Sequence, residues 1–387
     1  MNQSKKIKLL FRHRSMEMGG VEKVLLSILN NLNPEKFEMT VCLNLNQGEL
    51  RDEFPAHVRK VFLAEGKEDF SKNPLIQKAQ LFKRGQKLKK YKQNPHLVDE
   101  KILKDSFDIE VGMTYNDFEM VLNSSNKKSK KVGWFHSEIQ IPKMQPLVPK
   151  ILQQFPEFDA IVYCSQRIKD LMHQHHPTLN YPEERVIINA IPITEIKRKA
   201  TEKIENFPSG PVFFSLGRLH TRKGFHKLID AHAKLIKEGL PHHVVILGEG
   251  EEIDNLKNQI KEQKVQETFT ILPFAMNPYP YMNQADFFIL PSESEAWPLV
   301  IAEALILKKP IIATDVGDVS KMIRDQKTGL LIKYDTNEMA DAMRIFLTKP
   351  DVVENLKEHL KTIEQQFDNQ KIYNEIEETF INLLKNH

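Results

Sequence analysis

Glu295 and Glu303 are the residues whose types and spacing speak most directly of chemistry, because they bracket the point where a short apolar run gives way to a helix. The run Phe287–Leu290 reads as a buried parallel strand, and Pro298 reads as the first residue of the helix that follows. In an open α/β sheet such a junction opens into the crevice where ligands bind, and the free N–H groups of the first helical turn attract phosphate. Carboxylates at the same place would repel a bare phosphate, so hydroxyls suit them better. A ligand with both features is a nucleotide sugar.

Cations stand in a matching position. Gly217-Arg218 directly follows the apolar run ending at Leu216, and Lys223-Gly224 opens the next helix. Arginine offers a planar fork and lysine a mobile point charge, a combination suited to a diphosphate whose negative charge grows as a glycosidic bond breaks. Near the N-terminus, Gly19 and Gly20 separate the first strand from the segment Val21 to Leu32, where residues without Cβ allow a tight turn and close backbone approach to a ligand. His136 ends the apolar run Val132–Phe135. His13, Arg14 and Glu22 flank the glycine pair, Glu22 reading as a helix-start charge.

These residues require a scaffold of strands alternating with helices, the pattern of parallel α/β layers. The first half offers strands at Ile7–Phe11, Met39–Leu43, Val58–Leu63, Ile109–Met113, Val132–Phe135, Ala160–Cys164 and Val186–Ile188. A second series runs through Pro211–Leu216, His243–Leu247, Phe269–Leu272, Phe287–Leu290, Pro310–Ala313 and Gly329–Ile332. Between them, residues 191–210 lack an apolar period and carry Pro192, Pro208 and Gly210, which predicts an interdomain linker. The expected organisation is therefore a domain over 1–190, the linker, a second domain over 211–365, and a terminal helical segment over 366–387.

The motifs together resemble a known family. Glu295 and Glu303, with Trp297 and Ala304, are similar to the E-x7-E signature of retaining glycosyltransferases of family 4, which have the GT-B fold of two Rossmann-like doubly wound domains facing a central cleft. Gly217-Arg218-Leu219 with Lys223-Gly224 resembles that family's donor-phosphate segment, and Met18-Gly19-Gly20-Val21-Glu22 its N-terminal Gly-Gly loop. Thr314-Asp315-Val316-Gly317 and Thr328-Gly329-Leu330-Leu331 resemble its later blocks, in the same order. The resemblance implies transfer of a sugar from a UDP- or GDP-sugar with retention. It implies that Glu303 binds the ribose hydroxyls, that Glu295 and His136 face the transferred sugar, and that Arg218 and Lys223 hold the diphosphate. Gly19, Gly20, Trp297, Pro298 and Leu299 complete the donor-binding set. The last helix is expected to cross back to the first domain. Many relatives have glycine on either side of the aromatic where this chain has Ala296 and Pro298, so donor-sugar preference transfers less readily than the nucleotide site.

Composition narrows the field further. The chain has 387 residues, enough for two ordinary domains, and Lys plus Arg exceed Asp plus Glu by only 55 − 52 = 3, which gives no argument for nucleic acid. The two cysteines, Cys42 and Cys164, lie in apolar runs and read as buried thiols. No Asp-x-Asp element or Cys/His cluster calls for a metal, and no tightly bound cofactor is expected. Leu247-Gly248-Glu249-Gly250 resembles a dinucleotide turn but lacks the third glycine and is crowded by acid, which argues against redox chemistry. A GT-B epimerase and a non-catalytic nucleotide-sugar scaffold are the closer rivals. From Lys78 to Lys92 the chain carries seven basic residues and no acid, interleaved with Leu81, Phe82, Leu88 and Tyr91. That pattern suits an anionic membrane surface and an acceptor that is a glycan or lipid-linked, on a cytoplasmic protein peripheral to the inner face of the plasma membrane. The alternative is an ordinary solvated helix.

Overall fold

The computed structural model describes residues 5–140, 144–295 and 297–385. Its contacts divide the chain into two compact units, Met1–Ala190 with Asn369–His387, and Ile191–Asp368. Unit 1 holds a seven-stranded sheet in the order β3-β2-β1-β4-β5-β6-β7, built from β1 (Ile7–His13), β2 (Phe37–Asn46), β3 (Arg59–Glu65), β4 (Ile109–Gly112), β5 (Lys130–Phe135), β6 (Ala160–Tyr163) and β7 (Glu183–Val186). Unit 2 holds six strands in the order β10-β9-β8-β11-β12-β13, namely β8 (Val212–Leu216), β9 (His243–Leu247), β10 (Phe269–Leu272), β11 (Phe287–Leu290), β12 (Ile311–Thr314) and β13 (Gly329–Ile332). Every pairing in both sheets is parallel. Strands covered on both faces read as unbroken apolar runs, which is why β11 and β12 are buried at every position.

Each sheet reverses its winding once. The chain fills the sheet on one side of β1, then returns to place β4 on the other, and it does the same between β8 and β11. Loops leaving the C-terminal ends of such a pair depart in opposite directions and leave a crevice. Gly19-Gly20 follows β1, and Arg218 and Glu295 follow β8 and β11, so the fold brings predicted residues to both crossover points.

Two expectations need correction. Residues 191–210 contain the helix Ile193–Ala200, whose Ile196 and Ala200 are buried in the core of unit 2. Pro192 is its N-cap rather than a breaker, and the short apolar spacing is enough for so brief a helix. The seventh strand is Glu183–Val186 instead of Val186–Ile188. It is an edge strand with half-exposed polar residues, so apolarity does not mark it.

The helix Asn369–Lys385 packs on unit 1. Phe380 lies edge-on to Phe11 and Phe37 at 6.4 and 6.3 Å, Tyr373 meets the Ser27 hydroxyl at 2.7 Å, and Lys36 Nζ donates to Glu377 at 2.7 Å. The basic segment forms the helix Pro74–Gln93, capped by Asn73. Leu81, Arg84, Leu88 and Tyr91 turn inward, and Arg84 lies over the Phe70 ring at 5.3 Å. Lys92 pairs with Glu119 at 3.0 Å. Leu75, Ile76 and Phe82 are exposed, 81%, 51% and 66% respectively, on a surface shared with Lys78, Lys83, Lys89 and Lys90. Among the described residues no helix is long and apolar enough to cross a membrane.

Unit 2 buries a histidine chain. His242 Nδ1 lies 2.8 Å from the Leu240 carbonyl and so carries its proton there; its Nε2 then accepts from His232 Nδ1 at 2.8 Å, and His232 Nε2 accepts from the Thr268 hydroxyl at 2.9 Å. The arrangement works only with both rings neutral. Burial and the neighbouring imidazoles push His232 down to about 3, and burial lowers His242. In the unfolded chain both bind protons near pH 6.5, so stability is fully present above that value and falls as pH drops below it, for His232 by up to about 1.4 kcal/mol per pH unit and with a further loss in the same direction from His242. Denaturant unfolding between pH 7.5 and 5 should show this loss, with a shallower slope for His232→Leu; equal slopes would contradict it.

Candidate active site

The crossover in unit 2 is held by backbone contact between two loops. After β8 the chain makes a single tight turn, Thr221–Lys223, and Gly224 then takes a left-handed conformation, φ +68°, before the helix Phe225–Lys237. A Cβ at Gly224 would stand 1.9 Å from the Pro291 carbonyl oxygen of the loop after β11, so only glycine fits. Glu293 N donates to Arg222 O at 2.7 Å, and the Thr314 hydroxyl donates to Ser292 O at 2.5 Å, tying the second loop to the first and to β12. These ties bring Lys223 to Glu295. Lys223 Nζ donates to Glu295 Oε1 at 2.6 Å, and the Ser292 hydroxyl donates to the same oxygen at 2.7 Å.

Around this pair the other predicted residues take distinct positions. The Arg218 side chain is 76% exposed, with Glu251 at 3.7 Å, and is open to an incoming anion. Glu303 lies buried in the helix Leu299–Ile306 and accepts from the Tyr279 hydroxyl at 3.0 Å. Burial and that carboxylate push the Tyr279 hydroxyl well above the usual phenol range. Pro298 is the N-cap, one residue ahead of its expected place, and Leu299 begins the helix. Its fixed φ suits either position, and its extended ψ of 103° decides for the cap. Trp297 packs against the core while its Nε1 is buried with no hydrogen-bond partner among the described residues. Ala296 lies outside the described residues. Gly248 and Gly250, the remnant of the dinucleotide-like turn, lie against the Gly217 and Leu219 carbonyls, which gives the glycines a packing role.

Unit 1 arranges its own rim. Gly19 is the extended N-cap of the helix Gly20–Asn31, and Gly20 its first residue. His136, just beyond β5, stacks nearly parallel to Trp134 at 6.4 Å, and its Nε2 is buried with no partner among the described residues. Burial and the charge of His13 push its imidazole down to about 3, so it is neutral at physiological pH. His13, the last residue of β1, contacts Asp117 through Nδ1 at 3.3 Å and Glu22 through Nε2 at 3.0 Å. Sequence reading treats Glu22 only as a helix-start charge and does not single out Asp117. Nothing local in the sequence joins residues this far apart.

With this geometry in place, relationships to known proteins take on meaning. Residues 197–363, which hold Arg218, Lys223, Glu295 and Glu303, match the glycosyl transferases group 1 family. The chain is 30% identical over 169 residues to the alpha-D-kanosaminyltransferase of Streptomyces kanamyceticus, covering 43% of this chain and 44% of that protein. It is 31% identical to a Campylobacter jejuni N-acetylgalactosamine-N,N'-diacetylbacillosaminyl-diphospho-undecaprenol 4-alpha-N-acetylgalactosaminyltransferase, covering 56% of this chain and 59% of that one. The chain thus spans about half the length of these curated relatives. Among solved structures, Anabaena Alr3699/HepE, crystallised with UDP and glucose, superposes with a TM-score of 0.74 at 19% identity over 96% of this chain and 99% of that one. That likeness is one of fold, two Rossmann-like units of the GT-B type.

Gly224→Ala should destabilise unit 2 by about 1–3 kcal/mol through strained backbone and the displaced Pro291 carbonyl, lowering the melting temperature by several degrees. Calorimetry checks this. An unchanged melting temperature would mean that the loop contact does not constrain the site.

Proposed function

We propose that the protein is a retaining glycosyltransferase of the family 4 type, moving a sugar from a UDP- or GDP-sugar to a glycan or lipid-linked acceptor in cell-surface polysaccharide or glycolipid synthesis. The observation that carries the reading is the Lys223–Glu295 pair, set at the crossover of unit 2 beside the Leu299 helix and inside the segment matched by the family. Lys223 and exposed Arg218 receive the diphosphate. Lys223 is released from Glu295 as phosphate oxygens take its place, and Glu295 turns to the hydroxyls of the transferred sugar. Glu303 takes the ribose hydroxyls, with Trp297, Pro298 and Leu299 forming the turn around the nucleotide. On unit 1, Gly19 and Gly20 offer close backbone approach, and neutral His136 offers a hydrogen bond to the sugar.

In the reaction, the bond from the anomeric carbon to the phosphate oxygen breaks while the acceptor oxygen bonds to that carbon on the same face. The acceptor proton passes to the departing phosphate oxygen. Arg218 and Lys223 stabilise the charge that collects on the diphosphate, so no metal enters the scheme. The Campylobacter relative, by its name, acts on a diphospho-undecaprenol substrate, which supports a lipid-linked acceptor here. The basic helix supports a peripheral position on the cytoplasmic face of a membrane, since exposed Leu75, Ile76 and Phe82 share its surface with solvated lysines.

Arg218→Ala or Lys223→Ala should cut sugar transfer by about 10²–10³ with the fold intact, and chelator should leave activity in place. Product analysis decides among readings: transfer to an acceptor supports this one, inversion of a free nucleotide sugar indicates an epimerase, and binding without turnover indicates a scaffold. For the membrane, Gln at Lys78, Lys83, Lys89 and Lys90 should weaken sedimentation with acidic vesicles by about 1 kcal/mol per charge. Arg84 is left in place because it serves its own unit. Equal sedimentation of variant and wild type would make the helix an ordinary solvated surface.

A further inference from the structure

We propose that His13 is a positioning residue: an imidazolium clamped between Glu22 and Asp117 that fixes the Gly19-Gly20 turn on the sugar-binding rim of unit 1. The inference rests on the proposed transfer reaction for its functional consequence and on geometry for its existence. His13 is 3% exposed and Asp117 1%, and the two His13 nitrogens each face a carboxylate, at 3.0 and 3.3 Å. A neutral imidazole has a single N–H, so one of those contacts would set a lone pair against an anion; two protons satisfy both. The Asp117 oxygen facing His13 also takes the Thr114 N–H at 3.0 Å and hydroxyl at 2.7 Å, which holds the loop after β4 to the end of β1.

Glu22 transmits the clamp to the turn. A Cβ added to Gly19 would meet Glu22 Oε2 at 2.3 Å, so the carboxylate that holds His13 lies directly against the glycine at the helix start. The Glu22 carboxylate thus joins the His13 contact to the backbone at the helix start. Other groups around the ring are accounted for. His136 lies within electrostatic reach beyond β5, and Arg12, next in the chain, points to the opposite sheet face, where Glu110 and Asp99 receive it. The two carboxylates outweigh burial and push His13 up to about 9.

A histidine-labelled wild-type protein followed by NMR tests the clamp without altering it. His13 should remain doubly protonated from pH 6 to 8, and a midpoint near its ordinary value of about 6.5 would overturn the proposal. Glu22→Gln preserves side-chain size but removes one anion. His13 should then titrate at lower pH, the alkaline fall of kcat/KM should move down with it, and KM for the donor should rise about tenfold with kcat changed less, as when one charge-assisted hydrogen bond no longer holds a turn. A purely structural histidine would leave the pH profile and the donor KM where they are, and that result would also overturn the proposal. If the wild type consumes no nucleotide sugar, the assigned reaction falls, while the wild-type titration still decides whether the clamp exists.

Discussion

The contact of Gly224 with the Pro291 carbonyl is the constraint on which the candidate site depends. Parallel strands β8 and β11 lie side by side, yet the loops that leave them belong to chain segments far apart in sequence, and something must bring those loops into register. A left-handed glycine without a Cβ allows the backbones to touch, and the Arg222–Glu293 hydrogen bond then locks them. Once that is done, Lys223 and Glu295 have little freedom to avoid each other. The pair stores a cation in partial burial without leaving it unbalanced, and its partner can be exchanged for phosphate at modest cost because neither member is wholly desolvated.

The two units solve the same electrostatic problem differently. Unit 2 pairs its cation with one carboxylate at a partly open rim, a setting suited to exchange. Unit 1 sets buried His13 between two carboxylates, buried Asp117 and partly exposed Glu22, so that loss of the imidazole would strand a buried charge on Asp117. That contrast explains why the first assembly reads as a device for binding and the second as a device for holding a backbone in place. In both, the charges sit where the winding of the sheet reverses, the one place where a doubly wound fold leaves backbone and side chains open to a ligand.

The strands were legible in the sequence because most of them are buried on both faces and therefore appear as short apolar runs; β11 and β12 are the clearest cases. Legibility failed at β7, where one edge is unpaired and polar residues suffice, and at Ile193–Ala200, where two prolines nearby obscured a helix of little more than two turns. Motif residues of unit 2 stood out as candidates because glycine, arginine, lysine and glutamate fall there at strand-to-helix turns. The sequence could not reveal that Lys223 and Glu295 bond each other, that Tyr279 meets Glu303, or that Asp117 meets His13. Each is a contact between loops or helices made only when the sheet assembles. The basic segment is an intermediate case: its charge was visible, but the inward turn of Arg84 and the pairing of Lys92 were not.

The central claim is that the paired loops after β8 and β11 form a nucleotide-sugar site. Hydrogen exchange measured by mass spectrometry on the full chain, with and without UDP, GDP and their sugar conjugates, tests it most directly. Binding of one nucleotide class should slow exchange in residues 217–224 and 291–303 above all other segments of unit 2, since ligand bound to the native state suppresses local opening. Saturating nucleotide that leaves both loops unprotected, or that protects a different region of unit 2, would contradict it.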